Sequence, residues 1–248
     1  MNQSTTYDEL CNEIWHFCES QKAHLTDYVS PWLPPPLNRC DSAIKFLFVG
    51  LSPKRLKHYR YATTLDEAKT QAERYGYVSA GGRNDIHFNY DTYYKPLLKI
   101  ATDLNSDFGV WHQVKAGAKK LLVEFTDFCH LPTANHVALQ ASIESNPEIR
   151  THCRKIMERE LKLYNPQTVV ANGVDTSIDL WEMHYGRKFS TDNLKTVITS
   201  FLGIENCNVH LSGFIAGARG IDRFGKARLL NEIREHANSI PYHRCGDG

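Results

Sequence analysis

The sequence IKFLFVGLSP, residues 44–53, is a short apolar run that ends abruptly in a turn. Apolar runs of this length, flanked by turn residues, are typical of strands buried on both faces of a parallel sheet. Similar runs occupy residues 121–125, 168–171 and 209–212, and each one ends in polar or glycine residues. An additional edge strand is predicted over residues 196–201.

Helical patterns separate these predicted strands. Apolar residues recur at helical spacing in five segments: residues 5–24, 92–104, 146–164, 175–185 and 222–237. Alternating strands and helices indicate an α/β protein built from parallel βαβ units. Such sheets bind ligands beyond the carboxyl ends of their strands, so we expect the functional residues in the turns that follow the strands.

Length and composition limit the remaining possibilities. The chain has 248 residues and a net charge of +1, and it suits one domain with an N-terminal helix and a proline-rich, extended segment over about residues 1–40. Its apolar runs are far shorter than the roughly 20 residues that cross a bilayer. The N-terminus does not resemble a signal peptide, and seven irregularly spaced cysteines do not suggest a disulfide scaffold. We therefore expect a cytoplasmic protein without a membrane partner.

Four motifs, in order along the chain, resemble the uracil-DNA glycosylase superfamily, and the match extends over about residues 44–235. They are GLSP at 50–53, FNYD at 88–91 with Leu97 six residues later, TDFCHLP at 126–132, and C-x7-L-x4-P-x2-V-V-x2-G from Cys153 to Gly173. The resemblance implies a three-layer α/β/α fold around a central, mostly parallel four-stranded sheet. It also implies an enzyme that flips a base out of DNA and hydrolyses its N-glycosidic bond.

The resemblance suggests Asp91 as the carboxylate that activates water. Here the first loop has Ser52 instead of an acidic or amide residue. In family members with such a loop, an aspartate at this later position activates the water. Asp85 is the fallback, and Ser52 is a candidate for positioning water or binding a phosphate. Alternatively, Asp91 is a plain helix N-cap, because it directly precedes a helical pattern.

Base recognition is predicted at Asp127, where the family usually has asparagine. A carboxylate cannot donate to O4 of uracil, but it accepts from the N4 amino group of a cytosine-type base. The alternative is a helix cap or a buried acceptor.

Phe88 is the candidate for stacking on the base. The family's late histidine aligns with Phe214, and His210, a further base-binding candidate, lies four residues earlier and is interpreted as pointing into the sheet.

Basic residues near the predicted turns are candidates for binding DNA phosphates, although basic runs are often simply solvated. They are Lys54, Arg55, Arg219, Arg223 and Lys226. Aromatic and basic residues in the long segment after Pro53 fit either a groove for a DNA strand or a wall around a large base substituent. No cysteine or histidine pairs have zinc spacing, and no nucleotide-binding glycine loop occurs, so neither a metal nor a cofactor is expected.

The sequence therefore predicts a monomeric DNA glycosylase for a modified or cytosine-derived base, acting in phage defence or base-excision repair. Two alternatives stay open. One is a catalytically inactive member that binds nucleic acid, and the other is an α/β enzyme for a small molecule or nucleotide. The excised base, the preference for single or double strands and the purpose of the N-terminal 40 residues do not follow from the sequence.

Overall fold

The structure, a computed structural model, describes residues 6–25, 28–34, 43–51, 60–79, 120–133, 136–213, 215 and 223–239. These residues form six α-helices: α1 (Tyr7–Ser20), α2 (Leu65–Ser79), α3 (His136–Ser145), α4 (Glu148–Tyr164), α5 (Val174–Tyr185) and α6 (Arg223–Ser239). They also form five strands: β1 (Ala43–Gly50), β2 (Lys120–Asp127), β3 (Thr168–Ala171), β4 (Val197–Ile198) and β5 (Asn208–His210). The helix predicted over residues 92–104 lies outside the described residues.

The strands form one mixed sheet in the order β2-β1-β3-β5-β4. The pairs β2–β1, β1–β3 and β3–β5 are parallel, and β4 pairs antiparallel with β5. The predicted α/β class with a mostly parallel sheet is confirmed. The sheet has five strands instead of four, because the segment predicted as an edge strand contributes β4. Only two residues of that segment are in the strand, since 3₁₀ turns at Thr191–Lys195 and Phe201–Gly203 flank it.

The central strands β1 and β3 are buried on both faces. Leu47, Phe48 and Val49 are consecutive and each is at most 1% exposed. Successive side chains of a strand point to opposite faces, so the burial of all three means that both faces of β1 are covered there. All four residues of β3 are likewise buried. This explains why residues 46–49 and 169–171 are apolar throughout and do not alternate.

The N-terminal helix α1 belongs to the same core as the sheet. A capping box between Thr6 and Glu9 begins the helix. Leu10, Ile14 and Cys18, spaced four residues apart, are buried in the cluster that also contains the strand residues. The helix packs against α4 and α2. The segment 28–34 contains neither helix nor strand, and Trp32 N donates to His130 O at 3.1 Å, beyond the end of β2.

Two helices, α2 and α3, were not predicted. Among the described side chains of α2, the buried ones are the alanines Ala68 and Ala72, which give a weak helical periodicity in a hydrophobicity pattern. Helix α3 has ten residues, and one of its apolar side chains, Val137, is 73% exposed. Among the described helices, none combines the length and the apolar character needed to cross a membrane.

Candidate active site at the carboxyl ends of the strands

The segments that follow the parallel strands meet at one edge of the sheet, here called the strand-end rim (residues 50–51, 127–130, 172–173 and 212–213). Hydrogen bonds continue the strand pairing into it. Phe128 N donates to Gly50 O and Cys129 N to Leu51 O, both at 2.8 Å. On the other side of β1, Asn172 N donates to Val49 O at 2.8 Å. The backbone therefore holds these turns in a fixed relation to one another.

Side-chain hydrogen bonds link the turns that follow β3 and β5. Ser212 Oγ donates to Ala171 O at 2.6 Å, and Ser177 of α5 exchanges two hydrogen bonds with the backbone of Ser212, at 2.9 and 3.2 Å. Asn172 Oδ1 accepts from Ile215 N at 2.9 Å. All of these residues are buried. Buried polar groups with partners of this kind fix the conformation of a turn.

Asp127 is the last residue of β2 and pairs with Gly50, the last residue of β1. It is half-buried. Burial raises the pKa of its carboxyl group to about 7, an effect that His130 opposes and Glu160 reinforces. At neutral pH the carboxyl group is therefore present in both protonation states. The neutral acid has one O–H donor and an acceptor oxygen, whereas the carboxylate only accepts.

His130, three residues after Asp127 in the sequence, makes two buried polar contacts. Its Nδ1 is 2.8 Å from Trp32 O, and its Nε2 is 3.2 Å from Oε2 of Glu160, a fully buried residue of α4. Both ring nitrogens face acceptors, so both are assigned as N–H donors, and the ring is assigned as an imidazolium. Burial opposes this charge, but the hydrogen bond and the charge of Glu160 outweigh it and raise the pKa of His130.

Three cysteines and two histidines lie together where α1, α4 and the end of β2 meet. Cys18, Cys129, Cys153, His130 and His152 line a small cavity there. A hydrogen bond with Cys153 lowers the pKa of the Cys129 thiol and raises that of Cys153. Among the residues that the structure describes, no group of three or more histidine, cysteine or acidic side chains is arranged to hold a metal ion.

Of the predicted site residues, the structure describes Asp127, His210, Arg223 and Lys226. Arg223 begins α6, and the half-buried Lys226 follows within its first turn. The remaining predicted residues lie outside the described part of the chain: Ser52, Lys54, Arg55, Asp85, Phe88, Asp91, Phe214 and Arg219.

His210 is placed inside the sheet. It is the last residue of β5, it lies beside Val170 and Val197, and it is fully buried. A fully buried imidazole has no surface for contact with an extruded base. The burial favours the interpretation that His210 points into the sheet, and its candidate role in base binding stays a prediction.

Sequence reasoning missed His130, Glu160 and Asn172. One signal was present: Glu160 falls on the apolar stripe of α4 with Cys153 and Ile156. A carboxylate at a core position implies a buried partner, because an unpaired buried charge is strongly destabilising. The identity of that partner was hidden, since His130 is 30 residues away in the sequence.

No protein-family model matches the sequence, and no curated protein is significantly similar to it.

Proposed function

We propose that the chain is a DNA glycosylase with the three-layer α/β/α fold of the uracil-DNA glycosylase superfamily, and that the strand-end rim binds the extruded base. The observation that carries the proposal is the half-buried carboxyl group of Asp127 at the carboxyl end of β2. Ligands of parallel sheets bind at this edge. A titratable group with a strongly shifted pKa in such a position is a frequent feature of functional sites.

Asp127 suits a base of the cytosine type. As a carboxylate it accepts a hydrogen bond from the N4 amino group, and as a neutral acid it also donates to N3. Uracil carries O4 in place of this amino group, and of the two protonation states of Asp127 only the neutral acid donates to O4. The hydrogen bonds from Phe128 N and Cys129 N to the end of β1 hold the backbone on which Asp127 is placed.

The reaction consumes one water molecule. Asp91, with Asp85 as the alternative, orients the water and stabilises positive charge on the deoxyribose while the bond from C1′ to the base breaks. The water oxygen bonds to C1′, and the base leaves with its electron pair and takes up a proton. Ser52 positions the water, and Phe88 and Phe214 stack on the base.

Phosphates of the DNA strand are the proposed partners of the basic residues. In the described chain, Arg223 and Lys226 lie in the first turn of α6. This helix packs against β5, and in the sequence it comes after the rim residues 212–213 and Ile215. Lys54, Arg55 and Arg219 would complete the contact. The proposed setting is the cytoplasm, in phage defence or in base-excision repair, with the protein acting as a monomer.

An excision assay tests this function. Oligonucleotides that contain uracil, cytosine or a 5-substituted cytosine, single-stranded and duplex, are incubated with the wild type and with Asp91→Asn, and alkali-labile abasic sites are counted. The proposal predicts abasic sites at cytosine-type bases and a loss of at least about 100-fold in Asp91→Asn. Equal background from both proteins across the whole panel contradicts it.

One observation favours a non-catalytic protein that binds nucleic acid. His210 is the last residue of β5, but it is fully buried, which argues against donation to the leaving base. Under this alternative the chain binds oligonucleotides with a steep salt dependence but forms no abasic sites. Measuring the binding of the same oligonucleotides at two salt concentrations distinguishes this nucleic-acid-binding protein from an enzyme that acts on a small molecule, which would bind DNA negligibly.

A further inference from the structure

The backbone that follows β5 is held by side chains where the strand pairing stops. The pairing of β5 with β3 ends at His210. Beyond it, the carbonyl group of Ala171 accepts from Oγ of Ser212 at 2.6 Å. The N–H and the C=O of Ser212 both bond to Oγ of Ser177, at 3.2 and 2.9 Å. Residues 211–215, here called the post-β5 segment, are therefore attached to the sheet without being a strand.

Asn172 makes the contact that lies furthest along this segment. Its Oδ1 accepts from Ile215 N at 2.9 Å, and both residues are at most 2% exposed. A backbone N–H only donates, so the amide oxygen of Asn172 is assigned to this contact and the amide nitrogen to the other position. The backbone of Asn172 is fixed as well, because its N–H donates to Val49 O at 2.8 Å. Asn172 thus connects the post-β5 segment to both β3 and β1.

An irregular backbone is seldom buried, because its polar groups lack the partners that a helix or a strand supplies. Leu211, Ser212 and Ile215 are nevertheless at most 2% exposed. The side chains of Asn172 and Ser177 bond to the N–H groups of Ile215 and Ser212. Without these side chains the two N–H groups would be buried and unpaired. The course of the post-β5 segment is therefore determined by side chains from β3 and α5.

The post-β5 segment lies at the same edge of the sheet as Asp127. Asp127 ends β2, and β1 and β3 lie between β2 and β5. Neighbouring strands are about 4.8 Å apart, so the ends of β2 and β5 are separated by about 14 Å. A gap of this width admits a base together with its sugar. The segment is thus placed to contact a nucleoside whose base is directed at Asp127.

We propose that Asn172 and Ser177 are positioning residues of the base site, and that they hold the post-β5 segment as the wall opposite Asp127. This inference rests on the proposed function, in which Phe214 stacks on the base; Phe214 directly precedes Ile215 in the sequence. Asn172 and Ser177 act through the segment and not through contact with the base. A wall in a fixed position aligns the nucleotide for bond cleavage, and small displacements of such groups slow a reaction strongly.

Two substitutions of Asn172 isolate the hydrogen bond to Ile215. Asn172→Ala removes the acceptor for Ile215 N. Asn172→Asp keeps an oxygen at this position, and a carboxyl group accepts in both of its protonation states. The amide nitrogen that is lost in Asn172→Asp has no hydrogen-bond partner among the described residues. We therefore expect Asn172→Asp to retain the contact and Asn172→Ala to lose it.

Hydrogen exchange of the Ile215 amide, followed by NMR, tests the contact without turnover. We expect exchange at least about tenfold faster in Asn172→Ala than in the wild type, and close to the wild-type rate in Asn172→Asp. The matched control is Asn193→Ala, because Oδ1 of Asn193 accepts from a backbone N–H, that of Ser190, at the same distance of 2.9 Å. The control should leave exchange at Ile215 unchanged. An unchanged rate in Asn172→Ala overturns the proposal.

Two further measurements cover the case in which Asn172→Ala does not fold. In the wild type, the Ile215 amide should exchange at least about 100-fold more slowly than in an unstructured peptide. Exchange at the unstructured rate overturns the proposal. Ser177→Ala removes both bonds to Ser212 and places a good helix former in α5. It should speed exchange of the Ser212 amide at least about tenfold, and an unchanged rate there also overturns the proposal.

Excision rates separate positioning from folding. Single-turnover rates on a cytosine-type base are measured at saturating protein, at a temperature where thermal unfolding shows each variant to be fully folded. We expect the rate in Asn172→Ala to fall about tenfold or more, while the Kd for the same oligonucleotide changes by less than about threefold. Asn172→Asp should restore the rate to within about threefold of the wild type. A purely structural role would leave the rate of the fully folded Asn172→Ala unchanged.

Failure of this inference is distinguishable from failure of the proposed function. If the wild type excises no base from any oligonucleotide, the proposed function is overturned and the base-site role of Asn172 falls with it. The exchange rates then still decide whether Asn172 and Ser177 hold the post-β5 segment. If the wild type excises bases, and Asn172→Ala does so at the same rate despite faster exchange at Ile215, the function stands and the positioning role is overturned.

Discussion

Nε2 of His130 lies 3.2 Å from Oε2 of Glu160, and both side chains are at most 6% exposed. The contact joins the end of β2 to α4, so it fixes the turn that follows Asp127 against the helix behind it. A buried ion pair adds little net stability compared with apolar residues of the same size, but removal of one partner leaves an uncompensated charge.

Glu160→Leu alone is expected to lower the free energy of unfolding by about 3–5 kcal/mol. The loss should be smaller in the double variant His130→Leu/Glu160→Leu, because no unpaired charge then remains in the core. Urea denaturation of the wild type, both single variants and the double variant gives the coupling free energy. Strictly additive effects of the two single changes would contradict the assignment of a charged pair.

Asp127→Asn is expected to stabilise the protein at alkaline pH. The folded pKa of Asp127, about 7, is higher than that of an unfolded aspartate, about 3.9. The carboxyl group therefore costs no stability below about pH 4, and its cost grows as the pH rises towards 7. The variant should gain at most about 4 kcal/mol over the wild type at about pH 8 and little at about pH 4. Thermal unfolding at both pH values measures the stability gain of Asp127→Asn, with the exposed Asp192→Asn as the control. An equal gain at both pH values would contradict the raised pKa of Asp127.

Arg154→Met is expected to destabilise the packing of α4 on α5 by about 2–4 kcal/mol. Nη2 of Arg154 lies 2.8 Å from Oδ1 of Asp179 and 2.6 Å from Oε2 of Glu182. Asp179 is almost fully buried, and burial raises its pKa although Arg154 opposes the effect. Without Arg154 the carboxylate keeps, among the described residues, the longer contact with Arg150 at 3.3 Å.

The matched control for this network is Lys155→Met, the next residue of α4, whose ion pair with Glu13 is 63% exposed on the lysine side. It should change the free energy of unfolding by less than about 1 kcal/mol. Urea denaturation of Arg154→Met and Lys155→Met measures the loss of unfolding free energy in each. Similar losses in the two would mean that Asp179 does not depend on its partner.

Ile14→Ala tests whether the N-terminal helix belongs to the core. Ile14 is 1% exposed and packs in the cluster that includes β1 and β3. Its truncation should cost about 2–5 kcal/mol in the single cooperative unfolding transition. The same type of change at the exposed Val137 should cost less than about 0.5 kcal/mol. A separate early transition for α1, with the main transition unmoved, is the result that would show an independent appendage.

The sequence predicted the strands at residues 44–49, 121–125 and 168–171 because each is a short apolar run closed by a turn. It also predicted α4, whose apolar stripe is continuous and whose N-cap is Pro147. It did not predict α2, because the buried residues among the described side chains of that helix are alanines, which give a weak apolar pattern. A five-stranded sheet was suggested only by a possible edge strand, since β4 is too short to produce a pattern.

The site was predicted only in part, for a physical reason. Asp127 was identified because it directly follows a strand, and strand ends are where parallel sheets bind ligands. Its protonation state depends on His130 and Glu160, and Glu160 reaches the rim only through the packing of α4 on the sheet. Single-sequence patterns report local periodicity and do not encode such contacts. For the same reason, the burial of His210 could not be predicted from the sequence, because it depends on the pairing of β5 with β3 and β4.

The most direct test of the central claim is the ratio of cytosine-type base to uracil released from DNA by the wild type and by Asp127→Asn, with Asp192→Asn as the control. The amide that Asp127→Asn introduces donates to O4 of uracil at every pH, whereas the carboxylate does not. At about pH 8 we therefore expect the wild type and the control to favour the cytosine-type base, and Asp127→Asn to lower the ratio by about tenfold or more. An unchanged ratio in Asp127→Asn, or release of uracil alone by the wild type, would contradict the account.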